Sequence, residues 1–99
     1  LVTRPYSISS SPLWTKDGKY AITVRKTNGG LVSDYMLKNI KAGDELTVSD
    51  PQGTFYYEPL RDPKHIVAIA GGSGITPFLS MAYAIRDGIE DFELTVLYG

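Results

Sequence analysis

The stretch His65-Ile-Val-Ala-Ile-Ala70-Gly71-Gly72-Ser73-Gly74-Ile75-Thr76-Pro77-Phe78 sets a β-branched and alanine run directly against a glycine turn and a Thr-Pro helix start. The run from His65 to Ala70 has the composition of a parallel strand buried on both faces. Pro77 suits the first helical position with Thr76 as its N-cap, and Phe78, Met81, Ala82 and Ile85 recur at helical spacing until Gly88 supplies a stop. Phe92, Leu94, Val96 and Leu97 then read as a second strand. The span Ile66 to Leu97 matches the ~30 residues of one strand-helix-strand crossover.

Upstream, the period changes. From Leu1 to about Tyr57 the pattern is that of short antiparallel strands: Tyr20, Ile22 and Val24 alternate with polar or small residues, and Leu46 and Val48 flank Thr47. Turn residues separate the runs at Lys16 to Lys19, Asn28-Gly29-Gly30, Ala42 to Asp44 and Asp50 to Gly53. One short helix is expected after Gly30, with Ser33 and Asp34 as N-cap types ahead of Tyr35, Met36 and Leu37, ending before Gly43. The connector Glu58 to Lys64, with Pro59 and Pro63, marks a domain boundary, giving domains at 1–60 and 61–99.

Composition narrows the function. Of 99 residues, 42% are hydrophobic and 21% charged, which fits a folded globular protein. Ten basic and eleven acidic residues are intermixed, so there is no electrostatic footprint for nucleic acid. No apolar run approaches the ~20 residues of a membrane span, and a cytoplasmic location is expected. With no cysteine and a single histidine, thiol nucleophiles, cysteine-bound clusters and a zinc site are not expected of this chain. His65 reads as a residue opening a strand rather than a catalytic one, Trp14 as a partly buried loop anchor, and the Phe55-Tyr56-Tyr57 run as sheet-edge packing or a contact to an adenine or a partner domain.

Three short motifs carry chemistry. The Gly71-Gly72-Ser73-Gly74 turn offers backbone N–H groups and a helix dipole to a diphosphate, and glycine lets a phosphate or a planar ring approach closely. Taken alone, it reads equally as a plain strand-to-helix turn. It is not the usual dinucleotide fingerprint, because Pro77 stands where a third glycine is needed and no ribose-binding acid closes the second strand. Arg4 and Tyr6 share a face of an extended strand beside Ser7, a set that suits phosphate, planar ring and ring nitrogen of a flavin. An edge arginine with a packed tyrosine explains the same residues. Gly29-Gly30-Leu31-Val32-Ser33 leads into the short helix and offers N–H groups to a second anion, or is an ordinary hairpin turn with a capped helix.

In order, RPYSISSSP, GGLVSDYML, GDELTVSDPQGTF, AGGSGITPF and LTVLYG resemble the ferredoxin reductase family of flavin and nicotinamide oxidoreductases, over about Thr3 to Gly99. The resemblance implies a partial antiparallel flavin-binding β-barrel followed by the first strand-helix-strand unit of a parallel-sheet nicotinamide-binding domain. It implies FAD or FMN as cofactor and NADH or NADPH as substrate. Hydride passes to the flavin and electrons pass onward to an iron–sulfur or other acceptor. It implies that Arg4 binds flavin phosphate, that Pro5 and Tyr6 pack along the flavin, and that Ser7 bonds near N5. Val24, within the strand Ile22 to Arg25, lines the flavin tail, and Gly30, Leu31, Val32 and Ser33 hold its phosphates. Gly71, Gly72, Gly74 and Thr76 meet the nicotinamide cofactor, so Ser7 and Thr76 stand at the reacting rings.

The chain resembles the middle of such a reductase, without the family's first barrel strands and its late Cys-Gly-Pro segment. By itself it is therefore expected to be inactive and to associate with another chain through open sheet edges. The competing reading is a non-catalytic flavin- or nucleotide-binding module that needs a partner chain.

Overall fold

The computed structural model describes residues 4–27 and 29–99. The chain divides into two compact units, one of Leu1–Tyr6 and Val24–Thr54, the other of Ser7–Thr23 and Phe55–Gly99. Leu1 to Thr3, where the first expected strand and the resemblance begin, and Asn28 of the expected glycine turn lie outside the described residues.

The second unit contains the strand-helix-strand arrangement. Strand β1 (His65–Ala70) pairs in parallel with β2 (Glu93–Tyr98), in a register that runs from His65 opposite Glu93 to Ala70 opposite Tyr98. Helix α3 (Thr76–Arg86) connects them; α1 (Pro12–Thr15) lies earlier in the same unit. Ala68, Ala70, Ala84 and Phe92 are the buried apolar residues. The Phe92 ring stacks on Tyr57 with centroids 3.8 Å apart, and Phe55 meets Phe78 edge-on at 5.5 Å. The tyrosine hydroxyl of Tyr57 donates to the Pro63 carbonyl at 3.2 Å, so the segment after Thr54 is bound to the sheet unit. Lys64 reaches across to Asp91 at 3.0 Å, at the start of both strands. This pair is exposed and contributes little.

Helix α3 ends as its sequence requires. Gly88 takes φ 76°, its N–H donates to the Ile85 carbonyl at 3.1 Å, and the Ile89 N–H reaches back to Ala84 at 2.9 Å. These are the two bonds of a glycine-terminated helix stop. Its start differs from expectation. Gly72–Ile75 form a 3-10 turn that runs straight into α3, so Thr76 is helical and is not the N-cap. The Thr76 hydroxyl instead donates back to the Ser73 carbonyl at 3.1 Å. Positive φ at Gly72, 71°, makes the sharp exit from β1 possible and lets helical geometry begin four residues early.

The expectation that β1 is covered on both faces is corrected: Val67 is 57% and Ile69 79% exposed. Only one helix follows β1 in this unit, so only the Ala68 and Ala70 face is covered. Phe92 precedes β2 rather than belonging to it.

In the first unit, α2 (Leu31–Asn39) is the regular element. The expected helix is present, but Gly30 is its N-cap, with Ser33 and Asp34 inside the first turn. The expected antiparallel strands are also corrected. Among the described residues up to Tyr57, antiparallel pairing is limited to an isolated bridge between Ile8 and Ile22. The cause is visible in the serine run. Ser10 Oγ accepts from the Ala21 N–H at 3.0 Å, and Ser9 donates to the Ala21 carbonyl through both its N–H, at 2.8 Å, and its hydroxyl, at 3.2 Å. Side-chain bonds take over groups that a longer ladder would use. Residues 44–53 have extended or irregular backbone without a pairing partner among the described residues. Trp14, expected in a loop, sits in α1 and is 49% exposed, because a four-residue helix buries little of it.

Candidate functional site

The candidate residues fall into both units and are described unit by unit. In the first, Arg4 and Pro5 are exposed and Tyr6 and Val24 half-buried. Gly30 to Ser33 are brought together by the start of α2. Gly30 supplies no capping side chain, and the first helical bond is from the Asp34 N–H to the Gly30 carbonyl at 3.1 Å. The amides of Leu31, Val32 and Ser33 therefore precede the first helical hydrogen bond, at the positive end of a nine-residue helix. Ser33 is buried, and the Gly30 amide donates to the Thr27 carbonyl at 2.9 Å, which fixes the approach to this turn.

Asp34 adds a feature that sequence reasoning had used only as a capping type. Its Oδ1 is buried and has no hydrogen-bond partner among the described residues. The uncapped amides of this turn, at the positive end of α2, suit a phosphate group of a flavin nucleotide.

In the second unit, Ser7 is exposed on the segment leading to the Ile8–Ile22 bridge. Gly71, Gly72, Gly74 and Thr76 are brought together by the turn between β1 and α3. A methyl added at Gly74 would meet nothing within 4 Å, and one at Gly71 only the Gly99 carbonyl, at 3.8 Å. The turn is thus open where Gly71 and Gly74 lack a side chain.

Sequence reasoning missed the polar joint behind this turn. Ser9, Ser10 and Ser11 are buried, at 5%, 5% and 2% exposure. Ser80 Oγ donates to the Ser10 carbonyl at 2.7 Å, while Ser11 Oγ accepts from the Leu13 N–H at 3.2 Å and so caps α1. Arg86, and after it the Ser11 hydroxyl, hold the Asp87 carboxyl below the usual carboxylate range. The available signal was three consecutive serines between Ile8 and Pro12: a buried hydroxyl run needs partners, and a serine within the apolar helix Phe78 to Ile85 is one.

Among the described residues, no cluster of histidine, aspartate and glutamate is arranged to hold a metal ion, and no helix is long and apolar enough to cross a membrane.

Comparison with known proteins gives a consistent picture. The family model described as the oxidoreductase FAD-binding domain matches residues 1–57. The chain is 46% identical over 80 residues to a flavohemoprotein of Candida albicans, covering 81% of this chain and 19% of that protein. It is 35% identical over 97 residues to the toluate 1,2-dioxygenase electron transfer component of Pseudomonas putida, covering 98% of this chain and 27% of that one. It is 41% identical over 81 residues to the glycine betaine monooxygenase reductase subunit of Pseudomonas aeruginosa, covering 82% and 21%. The chain thus spans between 19% and 27% of the length of these relatives. No solved structure gives a significant match.

Proposed function

The chain belongs to the oxidoreductase FAD-binding domain family, and from that premise we propose that it forms part of a flavin-dependent NAD(P)H reductase of the ferredoxin reductase type. Bound FAD would supply the acceptor for a hydride from NADH or NADPH and a source of single electrons for an iron–sulfur or other centre. The observation that carries this reading is the uncapped start of α2, with Gly30 as N-cap, inside the span that the family model matches.

The protein's own work in this scheme is binding and orientation. Arg4 holds a flavin phosphate with Pro5 beside it in the cofactor site, and Tyr6 packs along the ring and ribityl chain. Ser7 donates toward the flavin's reacting nitrogen, and Val24 lines the tail. The N–H groups of Leu31, Val32 and Ser33, approached through Gly30, take the diphosphate. Gly71, Gly72, Gly74 and Thr76 receive the nicotinamide cofactor, with Thr76 and Ser7 as the residues at the reacting rings. Hydride transfer needs no protein acid or base, so none is assigned.

On this reading residues 1–60 belong to the flavin-binding domain and 61–99 begin the nicotinamide-binding domain. The protein is cytoplasmic, and its electron partner is an iron–sulfur protein or domain, which fits relatives named as an electron transfer component and a reductase subunit.

The test is a titration of the protein with FAD, followed by anaerobic addition of NADH or NADPH. Binding shifts the visible flavin bands, and reduction bleaches them. Failure to bind FAD overturns the assignment of α2, and a bound flavin that stays oxidised with both nicotinamides overturns the reductase reading.

A further inference from the structure

We propose that the buried serine run Ser9–Ser11, fastened to α3 by Ser80, is a latch that positions the segment bearing Ser7 against the helix that begins at Thr76. The proposal rests on the functional reading above, in which Ser7 and Thr76 stand at the two reacting rings. Both residues and the whole latch lie in the second unit.

The run is buried although its neighbours are not: Ser7 and Pro12 through Tyr20 are exposed. Burying three hydroxyls is unfavourable unless each finds partners, and each does. Ser9 Oγ accepts from Thr23 Oγ1 at 3.0 Å and donates to the Ala21 carbonyl, and Ser10 Oγ accepts from the Ala21 N–H. These bonds hold the run to the segment around Ala21. The bond to α3 is different, because it joins residues far apart in the chain: Ser80 Oγ reaches the Ser10 carbonyl at 2.7 Å across a separation of 70 residues. Ser11 Oγ accepts from the Leu13 N–H at 3.2 Å and ties the end of the run to α1.

The run is tied on one side to Ala21 and on the other to Ser80 of α3, and a segment tied at both points cannot swivel about either. Apolar contacts tolerate sliding, whereas hydrogen bonds are directional and fix register. The latch therefore sets where Ser7 lies relative to the helix whose first residue is Thr76. Ser80 is a positioning residue, since it acts through the Ser10 carbonyl.

The experiment compares wild type, Ser80→Ala and Ser80→Thr in the FAD-loaded protein. Hydrogen exchange of the amides from Ile8 to Leu13 should quicken about three- to ten-fold in Ser80→Ala, the effect of losing one hydrogen bond. The limiting rate of anaerobic flavin reduction by NADH or NADPH should fall by a similar factor, about three- to ten-fold. FAD affinity and the nicotinamide concentration for half-maximal rate should stay unchanged. Ser80→Thr keeps the hydroxyl and should restore both readouts. Wild-type exchange in Ser80→Ala overturns the latch. Faster exchange with an unaltered limiting rate overturns its positioning role, and so does a loss that threonine fails to restore. A wild-type flavin that neither nicotinamide reduces overturns the functional reading and the positioning role with it, while exchange still decides the latch.

Discussion

Replacing Gly30 with alanine should open the first turn of α2 and weaken FAD binding. Gly30 has φ −73° and ψ 114°, a backbone that any residue adopts, so conformational strain plays no part. The added methyl would run into the Ser33 hydroxyl and stand 3.1 Å from the Thr27 carbonyl oxygen and 3.2 Å from the Thr27 Cβ. The hydroxyl can rotate away. The carbonyl cannot, because it belongs to the backbone and accepts the Gly30 amide at 2.9 Å. The turn itself must yield, at a cost of about 1–3 kcal/mol for overpacking of this kind. If the amides of Leu31 to Ser33 bind the diphosphate, the same displacement takes them off it, and affinity falls by about ten- to a hundred-fold. Titration with FAD reads the affinity, and a denaturant melt without FAD reads the cost to the fold. Adding Ser33→Ala removes the hydroxyl conflict but not the carbonyl one, so the double variant should remain as unstable as Gly30→Ala. Wild-type FAD affinity in Gly30→Ala would refute the assignment of this turn, and recovery of stability in the double variant would refute the argument from the Thr27 carbonyl.

Phe92→Ala should lower stability by about 3–5 kcal/mol, the usual cost of deleting a buried ring, because Phe92 is 5% exposed and stacked on Tyr57 at 3.8 Å; a shift of the urea midpoint reads it. Gly72→Val places a β-branched residue at φ 71°, where a side chain is strained, and should slow flavin reduction by NAD(P)H in stopped-flow while FAD stays bound; an unaltered rate removes the nicotinamide role from this turn. Asp62 is held from the usual 3.8 down to about 2, chiefly by Arg61 and also by the Glu58 N–H. A carboxyl depressed on folding stabilises fully above its unfolded value, and that contribution is lost as pH falls from 3.8 toward 2. Denaturant melts from neutral pH to pH 2 should therefore show a smaller acid-side loss in Asp62→Asn than in wild type.

What the sequence made legible is what local chemistry determines. The run of Ile66, Val67, Ala68, Ile69 and Ala70, the helical spacing of Phe78, Met81 and Ile85, and the stop at Gly88 each specify their element without help, and strand, helix and parallel partner follow in order. The helix after Gly30 was legible for the same reason, although its cap was not. Serine and aspartate are good N-caps in general, but here two glycines precede the helix and the chain turns helical at Leu31, which leaves Ser33 and Asp34 inside. The N-terminus of α3 misled in the same way, because a glycine pair lets a 3-10 turn form ahead of Thr76.

The antiparallel strands were not legible because a strand is a relation between two segments. Alternation at Tyr20, Ile22 and Val24 states which face a strand would bury, and says nothing of whether a neighbour offers its N–H and C=O groups. Ser9 and Ser10 compete for Ala21 with side-chain hydroxyls, and the pairing stops at one bridge. The same serines tie a segment before the connector to the helix after it. Composition changes at Glu58, but the Ser10 carbonyl is held by Ser80, a residue that looks like one more small side chain on an apolar helix. A single hydroxyl leaves no period for sequence reading to detect. It fastens two motifs that were each readable, and only the folded chain shows that they are fastened to one another.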